Sequence, residues 1–211
     1  MITMLNMDCM EFLKHQPDKA YQLAIIDPPY GIGEALVAGG TWSKKWQSKG
    51  VKWDVKPNRE YFNELFRVSE NWVIWGGNYF MENLPNCRSF IAWHKPYMDG
   101  MHTMANVELA FTSFDRNAEF ISINKGKNKR DHITQKPTSL YKYILSRYAK
   151  HGDSILDTHG GSGSICIACH DLGFDLTWME LDKDYYDAAV ERYQRHAAQP
   201  ALFETVGGIT P

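Results

Sequence analysis

The chain has 211 residues, with 23 Lys+Arg against 25 Asp+Glu for a formal net charge of −2, and 44% of its residues are hydrophobic. That length bounds it at one domain. Near-neutrality excludes a generally basic nucleic-acid coat and a supercharged acidic tail, while leaving room for a local basic face. No apolar run reaches the ~18–20 residues of a membrane span, and Met1–Met10 lacks the basic-then-apolar pattern of a secretory signal.

The first strand is expected at Ile2–Asn6, followed by a helix near Met10–Lys14 and a buried strand, Gln22–Ile26, ending at Asp27. Residues 31–58 are rich in Gly, Lys and Trp without a clean period, which marks a functional or mobile excursion from a compact domain. A helix is expected over Glu60–Ser69, then strands at Trp72–Trp75, Phe90–Trp93, Val107–Phe111 and Phe120–Ile123. Trp72, Trp75 and Trp93 read as core.

The second half alternates more cleanly. Ser139–Lys150 is a helix, Ser154–Leu156 a strand ending at Asp157, and HGGSG (159–163) a Gly-rich loop. The helix that follows places Ile165, Ala168, Cys169 and Leu172 on one face and stops at Gly173. Leu176–Met179 is a strand ending at Glu180, Asp182–His196 a helix, and 197–211 a frayed tail. Strands alternating with helices predict an α/β domain with a mainly parallel sheet. One domain is expected over 1–196, with a target-binding loop at 31–58 and a basic loop at 124–131.

Charge is uneven. Residues 125–150 hold Lys125, Lys127, Lys129, Arg130, Lys136, Lys142, Arg147 and Lys150 against Asp131 alone, whereas 171–191 hold seven acids against Lys183. This is either a polyanion-binding side or two solvated faces that offset each other. The cysteines, at 9, 87, 166 and 169, suit a reduced, cytoplasmic setting rather than a disulfide framework. Cys166-x-x-Cys169 could suggest zinc or redox work, but it lies on the helix after the Gly loop, where Cys169 shares the apolar face with Ile165 and Leu172, so packing is expected there and no metal.

Two patterns carry chemistry. The first is strand, Gly-rich loop, helix, strand, acid. Gly160, Gly161 and Gly163 admit a ligand close to the backbone, helix amides point at it, and Glu180 ends the adjoining strand where a carboxylate can accept both ribose hydroxyls. Gly163 is followed three residues later by Cys166, so the dinucleotide fingerprint fails, and no Gly-Lys-Ser/Thr follows for a phosphate-binding loop. A nucleoside cofactor without a pyrophosphate fits; the alternative is a turn between core elements. The second pattern is Asp27-Pro28-Pro29-Tyr30 at a strand's carboxyl end. An acid, a rigid carbonyl and an aromatic plate suit a planar amine; the alternative is a strand-terminating turn.

DPPY at 27–30 together with DTHGGSG at 157–163 resembles the amino-methyltransferases that modify adenine N6 or cytosine N4 in DNA with S-adenosylmethionine. MITMLNMDCMEFL, NWVIWGGNYF, SFIAWHKP, NVELAFTSF and ITQKP resemble further stretches of that family, so the likeness spans nearly the whole chain. The order, catalytic motif first and cofactor loop last, resembles its permuted beta group. The resemblance implies a Rossmann-like methyltransferase fold: a mostly parallel twisted sheet with one antiparallel strand and helices on both faces. It implies Asp27, Pro28, Pro29 and Tyr30 at the catalytic centre, with the Tyr30 ring rather than its hydroxyl stacking on a flipped base. It implies Asp8, Cys9, Asp27, Lys136, Thr138, Asp157, His159, Gly160, Gly161, Ser162, Gly163 and Glu180 around the cofactor. Where the family commonly has Asp-Pro-Phe, this chain has Asp157-Thr158-His159, so a neutral imidazole replaces the bracing aromatic. The implied partner is double-stranded DNA. The Lys/Trp loop at 42–53 either closes over it, with Lys44, Lys45 and Lys49 on phosphates, or is a disordered surface loop, and Lys125, Lys127, Lys129 and Arg130 of the basic stretch are the other expected contacts. No long recognition region is evident, so target choice is expected to be loose or to need a second subunit, a homodimer included. The expected reaction is on adenine N6; cytosine N4, RNA adenine and a non-catalytic subunit of a restriction-modification assembly are the alternatives.

Overall fold

The computed structural model describes residues 1–32, 54–96, 105–124 and 135–199. The chain runs β1 (Ile2–Leu5), α1 (Cys9–Leu13), β2 (Tyr21–Ile26), α2 (Arg59–Val68), β3 (Ser69–Trp75), a 3-10 turn (Gly77–Tyr79), β4 (Ser89–His94), β5 (Val107–Thr112) and β6 (Glu119–Ser122). It continues through α3 (Thr138–Tyr148), β7 (Ser154–Asp157), α4 (Ser164–Leu172), β8 (Asp175–Met179) and α5 (Lys183–Ala197). The strands form one sheet in the order β1-β8-β7-β2-β3-β5-β4-β6. β5 runs antiparallel to both of its neighbours, and the other pairs are parallel.

Alternation along the central strands divides the core between the two faces. Leu23, Ile25, Val73, Trp75, Ile155 and Trp178 point to the side covered by α3, α4 and α5. Ala24, Ile26, Trp72, Ile74, Leu156 and Met179 point to the side covered by α1 and α2. Both faces of the parallel region are therefore apolar, which explains why these strands read as continuous hydrophobic runs rather than as alternating ones. Trp72, Trp75 and Trp93 are core residues as expected, and Cys166 and Cys169 are fully buried on the side that holds Trp75 and Trp93.

Helix ends follow local chemistry. Asp8 caps α1 by accepting from the Met10 amide at 2.8 Å, which starts that helix one residue before the expected position. Asn58 caps α2 through the Tyr61 amide at 3.0 Å. The expected helix end at Ser69 is instead the start of β3: the Ser69 hydroxyl donates back to the Leu65 carbonyl, and extended backbone begins there without a loop. β3 is accordingly longer than the Trp72–Trp75 core that its apolar residues suggest. The expected target loop is described only at its ends, where the Gly31 amide donates to Asp54 at 3.0 Å.

Candidate active site

The parallel strands deliver the ends of β1, β2, β7 and β8 to one edge of the sheet, where open α/β folds bind ligands. A cleft of about 960 Å³ lies there, lined among others by Asp8, Cys9, Asp27, Lys136, His159 and Glu180. Pro29, Gly160, Gly161 and Ser162 also line it. Two groups of residues from opposite ends of the chain thus share one space.

On the β7–β8 side, the Gly loop is held from three directions. The Gly160 amide donates to the Met179 carbonyl at 2.8 Å, and a Cβ at Gly160 would lie 1.8 Å from the Trp178 indole. Glu180 accepts from the Gly161 amide through Oε2 at 2.8 Å and from the Asp182 amide through Oε1 at 2.9 Å. Arg192 of α5 donates to the Ser162 carbonyl at 2.7 Å and to the Ser164 hydroxyl at 3.0 Å. Burial raises the Glu180 carboxyl above its usual range, and the two amides oppose that shift.

Asp157 is buried under the loop, and its Oδ1 accepts from the His159 amide at 3.0 Å. Burial, with the charges of Asp27 and Glu180 added, pushes its pKa up to about 8 against the His159 amide and Lys136. Burial pushes His159 down to about 4, which favours the neutral ring near pH 7. The ring packs edge-on against Tyr61 with centroids 5.1 Å apart. The Tyr61 hydroxyl hydrogen-bonds the Thr158 hydroxyl at 2.6 Å, which in turn lies 2.9 Å from His159 Nδ1. Burial also pushes the Cys9 thiol up to about 12, keeping it uncharged at the wall.

On the β2 side, both oxygens of Asp27 are engaged. Oδ1 accepts from the Tyr30 hydroxyl at 2.7 Å, and Oδ2 pairs with the Lys136 ammonium. Tyr30 does not present its ring to the cleft: it stacks on Tyr79 at 4.8 Å and 15°, and a Cβ at Gly76 would come within 2.2 Å of it. Pro28 is buried, and Gly163 and Thr138 serve as the residue before α4 and the first residue of α3 rather than as walls. Lys136 is 3% exposed, lies 5.0 Å from the Trp75 ring centroid and also faces Glu108 at 3.4 Å.

Tyr61, Tyr141, Val55 and Leu181 line the cleft although nothing in the sequence singles them out, and Thr158 of the Asp157-Thr158-His159 stretch lines it too. Tyr61 and Tyr141 lie on helix faces whose spacing signals burial and nothing more. Lys44, Lys45, Lys49, Lys125, Lys127, Lys129 and Arg130 lie outside the described residues. Among the described residues no helix is long and apolar enough to cross a membrane.

Residues 44–191 match the family model for N6/N4 DNA methylases. The chain is 22% identical over 234 residues to the type II methyltransferase M.HpaI of Haemophilus parainfluenzae, covering 88% of this chain and 72% of that one. Its fold is similar to that of M1.HpyAVI, solved with S-adenosylmethionine, at TM-score 0.61, 20% identity and coverage of 91% and 98% of the two chains. It is also similar to the cytosine-N4-specific PvuII DNA methyltransferase at TM-score 0.64, 11% identity and coverage of 91% and 86%. With the family model matching well over half of the sequence, the chain belongs to the N6/N4 DNA methylase family of amino-methyltransferases.

Proposed function

We propose that the protein methylates the N6 amino group of adenine in double-stranded DNA, with S-adenosylmethionine as donor. One observation carries the reading: the Gly loop with Glu180 and the DPPY carboxylate of Asp27 open onto a single cleft. The cofactor fits the residues present. Gly160 and Gly161 offer a wall without side chains, Glu180 is a fixed carboxylate suited to ribose hydroxyls, and Asp8, His159 and Leu181 border a space suited to a flat base.

When bound, S-adenosylmethionine would supply a sulfonium methyl carbon open to attack by the lone pair of an exocyclic amino nitrogen, with the thioether as the leaving group. A target amine is buried in a duplex, so the base must leave the stack to enter the cleft. Asp27 would accept one amino N–H on lone pairs that Tyr30 and Lys136 leave open, with the Pro28 carbonyl accepting the other. That draws nitrogen electron density out of ring conjugation and aims the lone pair at the methyl. The methylated nitrogen then releases one proton to water. Acceleration comes from placement and fixed charge rather than from a covalent intermediate. Lys44, Lys45, Lys49 and the basic stretch 125–130 would contact phosphates.

The test is to incubate unmethylated plasmid DNA with radiolabelled S-adenosylmethionine, digest it and separate the nucleosides. Label in N6-methyldeoxyadenosine is expected. Label in N4-methyldeoxycytidine would transfer the reading to cytosine, and unlabelled DNA would overturn it.

A further inference from the structure

Beyond Asp27 and Lys136, a string of opposite charges continues into the protein. Lys136 faces Glu108 of β5 at 3.4 Å through Oε2, and Glu108 Oε1 accepts from Lys95 at 2.8 Å. Lys95 follows β4, is 3% exposed, and lies 5.9 Å from the Trp93 ring centroid. Two buried ammonium groups therefore alternate with two carboxylates, Lys95–Glu108–Lys136–Asp27, across the ends of β4, β5 and β2. Burying a lysine is costly unless it is paired. Glu108 is the carboxylate that both lysines share, and Lys136 also meets Asp27 Oδ2.

We propose that Glu108 and Lys95 are positioning residues for methyl transfer: they hold the Lys136 ammonium against Asp27 and so fix the carboxylate that takes the target amino N–H. The inference rests on the reading of Asp27 as that acceptor. A carboxylate free to rotate about its Cα–Cβ–Cγ bonds would present its open lone pairs in several directions. One clamped on Oδ2 by a buried ammonium and on Oδ1 by Tyr30 presents them in one. β5 is the antiparallel strand, and this gives its entry a role: Glu108 arrives beside the ends of the parallel strands because β5 runs the other way.

Burial lowers the Lys136 pKa, and Asp27 and Glu108 outweigh that, leaving it above the ordinary lysine value. Asp157 at the end of β7 and the Tyr141 phenol of α3 border the same charges. Removing the Glu108 charge withdraws one of the two carboxylates that hold the ammonium, so transfer should slow while the cofactor half of the cleft is untouched. Removing the Lys95 cation leaves Glu108 facing Lys136 and should slow transfer less.

Single-turnover methylation of unmethylated plasmid DNA would be followed for the parent, Glu108→Gln, Glu108→Asp, Lys95→Gln and Asp27→Asn, with cofactor affinity by calorimetry and Tm alongside. Glu108→Gln should transfer about 10–100-fold more slowly with unchanged cofactor affinity, and Glu108→Asp should recover part of the rate. Lys95→Gln should slow transfer less, again with unchanged cofactor affinity. Should Glu108→Gln not fold, the Lys95→Gln rate and affinity decide. Parent-like rates in both variants, or a loss of rate that follows a loss of cofactor affinity, would overturn the proposal. A parent-like rate in Asp27→Asn would instead overturn the acceptor reading on which it rests.

Discussion

The Tyr30 hydroxyl donates a 2.7 Å hydrogen bond to Oδ1 of Asp27, three residues earlier in the same turn. The sequence assigned work to the ring of Tyr30 alone, yet in the fold its hydroxyl helps orient the carboxylate. Tyr30→Phe should therefore lower the transfer rate while sparing cofactor affinity. Loss of a hydrogen bond to a charged group is worth about 1.5–3 kcal/mol, or about 10–100-fold in rate. Single-turnover methylation would show it, and a Phe variant as fast as the parent would return the role to the ring. Asp27→Ala should be slower than either, since it removes the acceptor itself.

Glu180 ties the Gly loop to the end of β8 by accepting from the Gly161 amide, while its other oxygen accepts from the Asp182 amide. Glu180→Gln places an NH2 group where one of these donors points, leaving a repulsive contact and a weaker acceptor. S-adenosylmethionine affinity measured by calorimetry should fall by about 1.5–3 kcal/mol. An unchanged affinity would place the nucleoside elsewhere.

Gly160 has no space for a side chain, because Trp178 occupies the position a Cβ would take. Gly160→Ala must displace the loop or the indole. Destabilisation of about 1–3 kcal/mol is the scale for overpacking, visible in denaturant titration. Cofactor affinity should fall with it, since the displaced segment is a cleft wall.

The pH dependence of stability should be flat and then decline. His159 changes from 6.5 to about 4 on folding, so the unfolded chain binds more protons between those values and stability rises with pH there. Asp157 changes from 3.8 to about 8, so the folded chain holds the extra proton and stability falls with pH across that range. The two slopes oppose each other up to the ordinary histidine value, with the raised Glu180 carboxyl adding to the decline, and above it the Asp157 slope is no longer offset. The loss between pH 6.5 and 8 should be about 2 kcal/mol. Asp157→Asn should abolish that decline in denaturant titrations at several pH values.

If Lys125, Lys127, Lys129 and Arg130 lie on phosphates, replacing all four with Ala should flatten the dependence of log DNA affinity on log salt. The slope should fall by about 0.9 for each phosphate that is no longer neutralised. An unaltered slope would make the stretch a solvated surface.

The sequence made legible those parts of the site that lie within one strand and the turn after it. Asp27 after β2, Asp157 and the Gly loop after β7, and Glu180 after β8 each follow an apolar run, and parallel strands deliver such positions to one edge. Lys95 and Glu108 were not legible as a pair. A lysine after a strand reads as solvent-exposed, and nothing in period-2 alternation says which residue lies across the sheet. Lys136 reads toward the cofactor from its neighbouring motif, whereas its ammonium is turned to Asp27 and Glu108. The Ser69 boundary escapes the sequence for a similar reason: Glu70 and Asn71 read as loop, and only pairing of β3 with β2 makes them strand.

The seam between β2 and β7 joins Leu23 to Ile155 and Ala24 to Leu156, and Gln22 accepts from the Ser154 amide across 132 positions of chain. Closing so long a loop is among the slower steps available to a folding chain. Asp27 and the Gly loop meet only once it has closed. Neither end of the chain can assemble the cleft in advance, so a nascent chain should gain cofactor affinity abruptly, after β7 and β8 have been synthesised and docked. The nucleoside would then stabilise the fold as a unit, and its binding would report on completion of the sheet rather than on local ordering of a loop.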